Sequence, residues 1–222
     1  MGTLGIAVIG QAPRRDIQTL FAGYLPPGTR IILRGCLDGL ADEEIEGLAP
    51  RGGDDTLYTR LRGERDAKVS KDAVIVRAPA TLAALRADGA ETILFACTGA
   101  FPPFPGDAGV VFPSHLLSGL AAGLLPRGRL GLLVPAPEQI AKLSRKWERP
   151  GVEIVARALL PSATRGATEA AARALAAQAP DLVAMDCMSY GPDMKAVVRE
   201  ITRAPTLLAA SATARVLQEL LT

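Results

Sequence analysis

Cys97 and Cys187 close two similar segments ninety residues apart, Leu85 to Cys97 (LRADGAETILFAC) and Leu175 to Cys187 (LAAQAPDLVAMDC). In each, a helical tail gives way to an acidic residue, Glu91 or Asp181, and then to a short apolar strand whose carboxyl end carries the thiol. Open α/β sheets place their chemistry at strand ends, so two symmetric halves can aim two thiols at one cleft. A thiol near a helix amino terminus is biased toward thiolate, the form that acts as nucleophile or base. Reversible disulfide formation is the redox alternative and requires the two Cα atoms to approach within about 7 Å.

The residues around each thiol support a site. Cys97 is followed by Thr98-Gly99-Ala100-Phe101-Pro102, a hydroxyl and a glycine-flexed turn able to present backbone donors. Cys187 lies in Asp186-Cys187-Met188-Ser189-Tyr190-Gly191-Pro192, where Pro192 suits the first turn of a helix. Asp186 would raise the pKa of Cys187 if it pointed the same way, but strand neighbours face opposite sides. Cys36 has no counterpart in the repeat and reads as a packing thiol. Gly10 to Asp16 opens the first helix, where exposed N–H groups favour anions. Arg14 or Arg15 there is either a bidentate carboxylate clamp or one of two solvated arginines. The stretch lacks the GxGxxG spacing, so no dinucleotide is expected. Ser114 and Ser211 stand at helix starts and read first as N-caps, with His115 beside Ser114 as a surface residue.

The elements that must position these groups alternate. Strands are expected at 4–9, 30–35, 109–112, 129–134, 152–159 and 206–209, besides the two cysteine strands. Helices are expected at 14–24, 41–48, 71–88, 114–125, 137–147, 166–178, 192–202 and 211–221, with an irregular polar stretch at 49–70. That stretch, dense in charge from Asp54 to Lys68, is either a lid or a solvated excursion. Alternation of this kind, with continuously apolar strands such as Thr92-Ile93-Leu94-Phe95, predicts an α/β fold with mainly parallel sheets covered on both faces. Leu4-Gly5-Ile6-Ala7-Val8 with Ala12-Pro13 is echoed by Leu130-Gly131-Leu132-Leu133-Val134 with Ala136-Pro137, which extends the duplication beyond the cysteines.

Composition narrows the class. The chain has 222 residues and a net charge of +2 from 25 basic and 23 acidic residues, interspersed, so no nucleic-acid partner is expected. No apolar run approaches the ~18 residues of a membrane span, and three cysteines without an export signal point to reduced thiols in the cytoplasm. One histidine and no CxxC pair leave no zinc cage of the usual kind, so no metal is expected.

Taken with Asp54-Asp55-Thr56-Leu57, Val69-Ser70-Lys71 and Lys146-Trp147, the two cysteine motifs resemble the AroM family, a branch of the aspartate/glutamate/hydantoin racemase superfamily, over essentially the whole chain. The resemblance implies two pseudo-symmetric Rossmann-like lobes, residues 1–98 with 206–222 and residues 99–205, with the active site in the cleft between them. It also implies catalysis without a cofactor. One cysteine thiolate takes the proton from the carbon bearing a carboxylate and the other thiol supplies one to the opposite face, a geometry that inversion at a planar intermediate demands. Cys97 and Cys187 match those positions. The sequence departs from the amino-acid racemases, which show Cys-Asn-Thr and Cys-Thr-His where this chain has Cys97-Thr98-Gly99 and Cys187-Met188-Ser189. The ammonium-holding Asn is missing, which speaks against aspartate or glutamate as substrate.

The leading expectation is a cofactor-independent racemase or isomerase acting beside the carboxylate of a small molecule. Thr98, Gly99, Ser114, Ser189 and Tyr190 are its candidate anion-binding residues, with Gln11 and Arg14 behind them. A decarboxylase or cis-trans isomerase using one cysteine is the near alternative; a non-catalytic small-molecule-binding or regulatory protein is the distant one. A homodimer suits sheets of this kind, though no residue specifies it.

Overall fold

A computed structural model describes residues 2–222. The chain divides into two compact units, Met1–Pro113 with Ala214–Thr222, and Ser114–Thr213.

The first unit contains β1 (Thr3–Val8), α1 (Arg15–Ala22), β2 (Arg30–Gly35), α2 (Asp42–Glu46), β3 (Thr56–Arg60), β4 (Asp66–Ser70), α3 (Lys71–Ala87), β5 (Thr92–Phe95) and β6 (Val110–Val111). Its parallel sheet runs β2-β1-β5-β6. Every residue of β1 is buried, as expected of a strand covered on both faces. Ser70 caps α3 by accepting from the Ala73 N–H, and the helix ends before Gly89, whose φ of +89° suits glycine after a helix.

The second unit follows with α4 (Pro113–Leu124), β7 (Gly128–Val134), α5 (Ile140–Trp147), β8 (Val152–Ala158), α6 (Arg165–Ala176), β9 (Leu182–Met185), α7 (Pro192–Thr202), β10 (Thr206–Leu208) and α8 (Ala209–Leu221). The chain enters it at the first turn of α4 and leaves it within α8. Its parallel sheet runs β8-β7-β9-β10. Thr164 caps α6 through the Ala167 N–H, and Pro192 opens α7 at a position where its missing donor does no harm.

Three expectations are corrected here. Strand pairing keeps residues 99–113 with the first unit, because β6 pairs with β5, and residues 206–213 with the second, because β10 pairs with β9. The polar stretch at 49–70 is not irregular: β3 and β4 form an antiparallel hairpin with Thr56 opposite Ser70. Its charges hid a strand pattern, and Leu57, Tyr58, Leu61 and Val69 are buried against the unit. Gly10 approaches this hairpin so closely that a Cβ would collide with the Arg60 carbonyl and the Thr59 side chain. Finally, neither Ser114 nor Ser211 is an N-cap. Ser114 is the second residue of α4, and Ser211 lies inside α8, its hydroxyl donating to Leu208 O.

Candidate active site

In the first unit the β1–β5 ladder continues one residue past the strand, as Ala96 N donates to Ala7 O at 2.8 Å. The chain then turns, and Cys97 follows with 8 % of its surface exposed. Gly99 N donates to Cys97 Sγ at 3.3 Å. The turn is tight: a Cβ at Gly99 would press on Leu57 Cδ2 at 3.2 Å and touch the sulfur at 3.4 Å. Phe95, just upstream, is fixed by ring contacts with Phe101, Phe104 and Phe112. Thr98 is buried beside the thiol.

The neighbouring strand end, after β1, carries Gln11 and Arg14. Gln11 is buried and its amide is committed to backbone, donating to Leu37 O and Leu40 O and accepting from Arg62 N. Arg14 is not solvated as one expectation had it; it is 5 % exposed and grips Asp16 in bidentate fashion at 2.9 and 2.7 Å. Arg15 is exposed. Partial burial pushes the Asp16 carboxyl up, but the Arg14 hydrogen bond and charge outweigh it and hold the pKa below the usual carboxylate value.

In the second unit the same construction recurs. Asp186 N donates to Leu133 O, Cys187 follows with 7 % exposed, and Ser189 N donates to Cys187 Sγ at 3.4 Å. Each thiol therefore faces the N–H two residues on, a donor that favours negative charge on sulfur. Tyr190 is buried and its hydroxyl donates to Leu159 O at 2.6 Å, which spends its one proton on the loop after β8. Ser114 lies on α4, apart in sequence from the turn that groups Cys187, Ser189 and Tyr190, and is buried. His115 beside it is exposed.

The helix-terminus condition is met differently at the two thiols along the chain: residues 96–109 contain no helix, whereas α7 begins five residues after Cys187. At Cys97 the backbone N–H of Gly99 is the local donor.

The sequence pattern holds the parts of a buried polar cluster without joining them. The Asp186 carboxylate accepts from Lys146 Nζ at 2.8 Å and from Trp147 Nε1 at 2.7 Å. Trp147 therefore packs inside its own unit. The signal available was internal: Trp147 occupies the place in α5 that Phe21 holds in α1, each the last buried residue of its helix.

Cys36 lies in the hydrophobic core of the first unit with Ala7, Leu37 and Leu82. Burial pushes its thiol up from 9.0 to about 11, so it stays protonated. None of the three cysteines is in a disulfide, and all are buried. Among the described residues no group of three or more His, Cys, Asp or Glu side chains could hold a metal ion, and no helix is long and apolar enough to cross a membrane.

Comparison with solved structures gives the fold a context. Unliganded arylmalonate decarboxylase is similar with a TM-score of 0.64 at 14 % identity, covering 100 % of this chain and 92 % of that one. Glutamate racemase isoform RacE1 from Bacillus anthracis is similar with a TM-score of 0.63 at 12 % identity, covering 99 % and 81 %. A Cys-to-Ser mutant of Nocardia farcinica maleate cis-trans isomerase, carrying a covalently bound succinylcysteine intermediate, is similar with a TM-score of 0.59 at 18 % identity, covering 99 % and 93 %. No curated protein matches the chain in sequence. These likenesses show that the chain shares the α/β fold of arylmalonate decarboxylase and glutamate racemase. The family model described as AroM protein matches residues 4–221, nearly the whole length, and the chain belongs to the AroM family.

Proposed function

We propose that this protein is a cofactor-independent racemase or isomerase that removes and returns a proton at the carbon beside a carboxylate, with Cys97 and Cys187 as the paired base and acid. The observation that carries the reading is the matched presentation of the thiols. Each lies just past the end of an equivalent strand, β5 or β9, and each sulfur accepts from the backbone N–H two residues later. A base must hold negative charge in its resting state and an acid must acquire it during turnover, so both sulfurs need such a donor. Thr98, Gly99, Ser114 and Ser189 remain the groups we assign to the substrate carboxylate. Gln11, Arg14 and Tyr190 already direct side-chain donors to protein partners and serve instead to hold the loops that carry the site.

A one-thiol reaction is the second reading, favoured by one difference: Cys97 follows Ala96, whereas Cys187 follows a buried carboxylate. Unequal settings suit a single working thiol, as in a decarboxylation or a cis-trans isomerisation.

The test is hydrogen–deuterium exchange in D₂O, followed by NMR over a panel of small carboxylic acids, with wild type, Cys97→Ser and Cys187→Ser. The two-thiol reading expects exchange beside the carboxylate that both substitutions abolish. Exchange or product formation that survives one substitution selects the one-thiol reading. No exchange anywhere, with ligand-induced thermal stabilisation retained in both variants, leaves a binding protein.

A further inference from the structure

By the repeat, Leu20, Phe21 and Ala96 of the first unit are the sequence counterparts of Lys146, Trp147 and Asp186 in the second: Ala96 and Asp186 make the same ladder bond, to Ala7 O and Leu133 O, and Phe21 and Trp147 are each the last buried residue of their helix. The exchange replaces carbon with a buried ion pair. The Asp186 side chain has 0 % of its surface exposed and that of Lys146 10 %. Lys146 Nζ also lies 5.0 Å from the centroid of the Trp147 ring. Taking an ammonium and a carboxylate out of water is expensive, and an apolar set of similar volume is commonly as stable or more so. The first unit carries apolar residues at all three counterpart positions. Stability therefore does not explain the pair, and its location points elsewhere: Asp186 is the residue directly before Cys187, and although strand neighbours face opposite sides, a lone buried carboxylate one residue away still opposes a thiolate across a low-dielectric interior.

We propose that Lys146 is the counter-ion that cancels the Asp186 charge beside Cys187, allowing that thiol to hold negative charge, while the Asp186–Trp147 hydrogen bond anchors the turn in which Ser189 N faces the sulfur. Lys146 and Asp186 are positioning residues in this scheme; neither touches the reacting atoms. The carboxylate is the anchor, and the ammonium removes its electrostatic penalty. The inference deepens the reading of Cys187 as a working thiol and rests on it, but thiol reactivity can be followed without a substrate.

The experiment measures iodoacetamide alkylation of Cys187 and Cys97 in the same native molecules near neutral pH, resolved by peptide mass spectrometry, and takes the ratio of the two rates. A single uncompensated charge at a separation of one residue is expected to change the Cys187 rate by about tenfold. Lys146→Met lowers the ratio, Asp186→Asn raises it, the double variant returns it to within about twofold of wild type, and Lys146→Arg leaves it unchanged. Loosened packing would instead move both single variants in the same direction. That outcome, or a ratio that neither variant moves, overturns the inference. Where Lys146→Met does not fold, Asp186→Asn compared with the double variant reads the same charge: equal ratios overturn the proposal. Opposite shifts without any proton exchange would reject the enzyme reading and leave this inference standing. Proton exchange with an unmoved ratio would do the reverse.

Discussion

The two units repeat one sheet plan and differ in what they hang on it. Order and register agree strand for strand: β2-β1-β5-β6 and β8-β7-β9-β10, with Gly5 opposite Ile93 and Gly131 opposite Val183, and Ile93 opposite Val110 and Val183 opposite Thr206. The connections differ. The first unit inserts α2 and the β3–β4 hairpin before α3, where the second has α6 alone; the second places α7 between β9 and β10, where the first runs without a helix. Register in a strand buried on both faces resists change, because a one-residue slip exchanges every side chain between faces. Connections lie outside that constraint and can diverge. The duplicated sheet thus holds two thiols in like positions, while the unlike connections give each its own surroundings.

The sharpest way to break the comparison is at the buried cluster. Asp186→Ala strands the Lys146 ammonium in the interior and is expected to lower the unfolding free energy by about 3–5 kcal/mol in urea titration. The mirror substitution Ala96→Asp buries a carboxylate in the unit whose counterparts of Lys146 and Trp147, Leu20 and Phe21, carry no donor, and is expected to be as damaging. Adding Leu20→Lys and Phe21→Trp to Ala96→Asp should recover part of the loss. If Asp186→Ala stays within about 1 kcal/mol of wild type, the pair is not the electrostatic unit described here.

A second contrast is between Cys36 and the two strand-end thiols, of which Cys97 lies in the same hydrophobic core. Cys36 has its pKa raised from 9.0 to about 11, so the folded state binds its proton more tightly than the unfolded chain does. Its contribution is fully present below pH 9.0 and is lost as pH rises to about 11. Unfolding free energies of wild type and Cys36→Ala from urea titration, compared from neutral pH upward, are expected to converge by about 2 kcal/mol at the alkaline end. Parallel pH profiles for the two proteins would contradict this.

The turns after the thiols separate on a smaller scale. Gly99→Ala meets Leu57 and the Cys97 sulfur and is expected to cost about 1–3 kcal/mol and to slow Cys97 alkylation. Ser189→Ala keeps its backbone N–H and should change stability by less than about 0.5 kcal/mol. Equal effects at both positions would show that the turns are interchangeable. The caps of the equivalent helices α3 and α6 should behave alike: Ser70→Ala and Thr164→Ala are each expected to lose about 1 kcal/mol in thermal unfolding. Unequal losses would mean that the hairpin, which holds the Ser70 hydroxyl to Asp55, carries part of the first cap.

Much of the fold was legible before the structure. The apolar runs of β5 and β9, the repeat around β1 and β7, and the alternation of strand and helix all follow from local pattern. The hairpin was not legible: Asp66 and Lys68 lie on one face of β4 opposite buried Val69, and β3 is a five-residue strand ending in Arg60 whose first four residues are all buried, so the stretch reads as polar without a clear alternation. The serines misled for a related reason. A serine near a helix start reads as a cap, but the Ser211 hydroxyl sits inside α8 and gives its proton to the Leu208 carbonyl. At the candidate site, sequence singled out the thiols and their turns. Only the structure showed that Gln11, Arg14 and Tyr190 are engaged with protein partners.

The sequence by itself determined the duplicated parallel framework and the place of Cys97 and Cys187 within it, because both are set by periodicity and by position along single strands. Tertiary structure decided the rest: which strand takes β6 and β10 as its neighbour, where the Tyr190 hydroxyl finds its acceptor, and that Asp186 meets a lysine and a tryptophan some forty residues upstream. Such pairings depend on how distant segments pack, and no local pattern of apolar and polar residues encodes the partner of a buried charge.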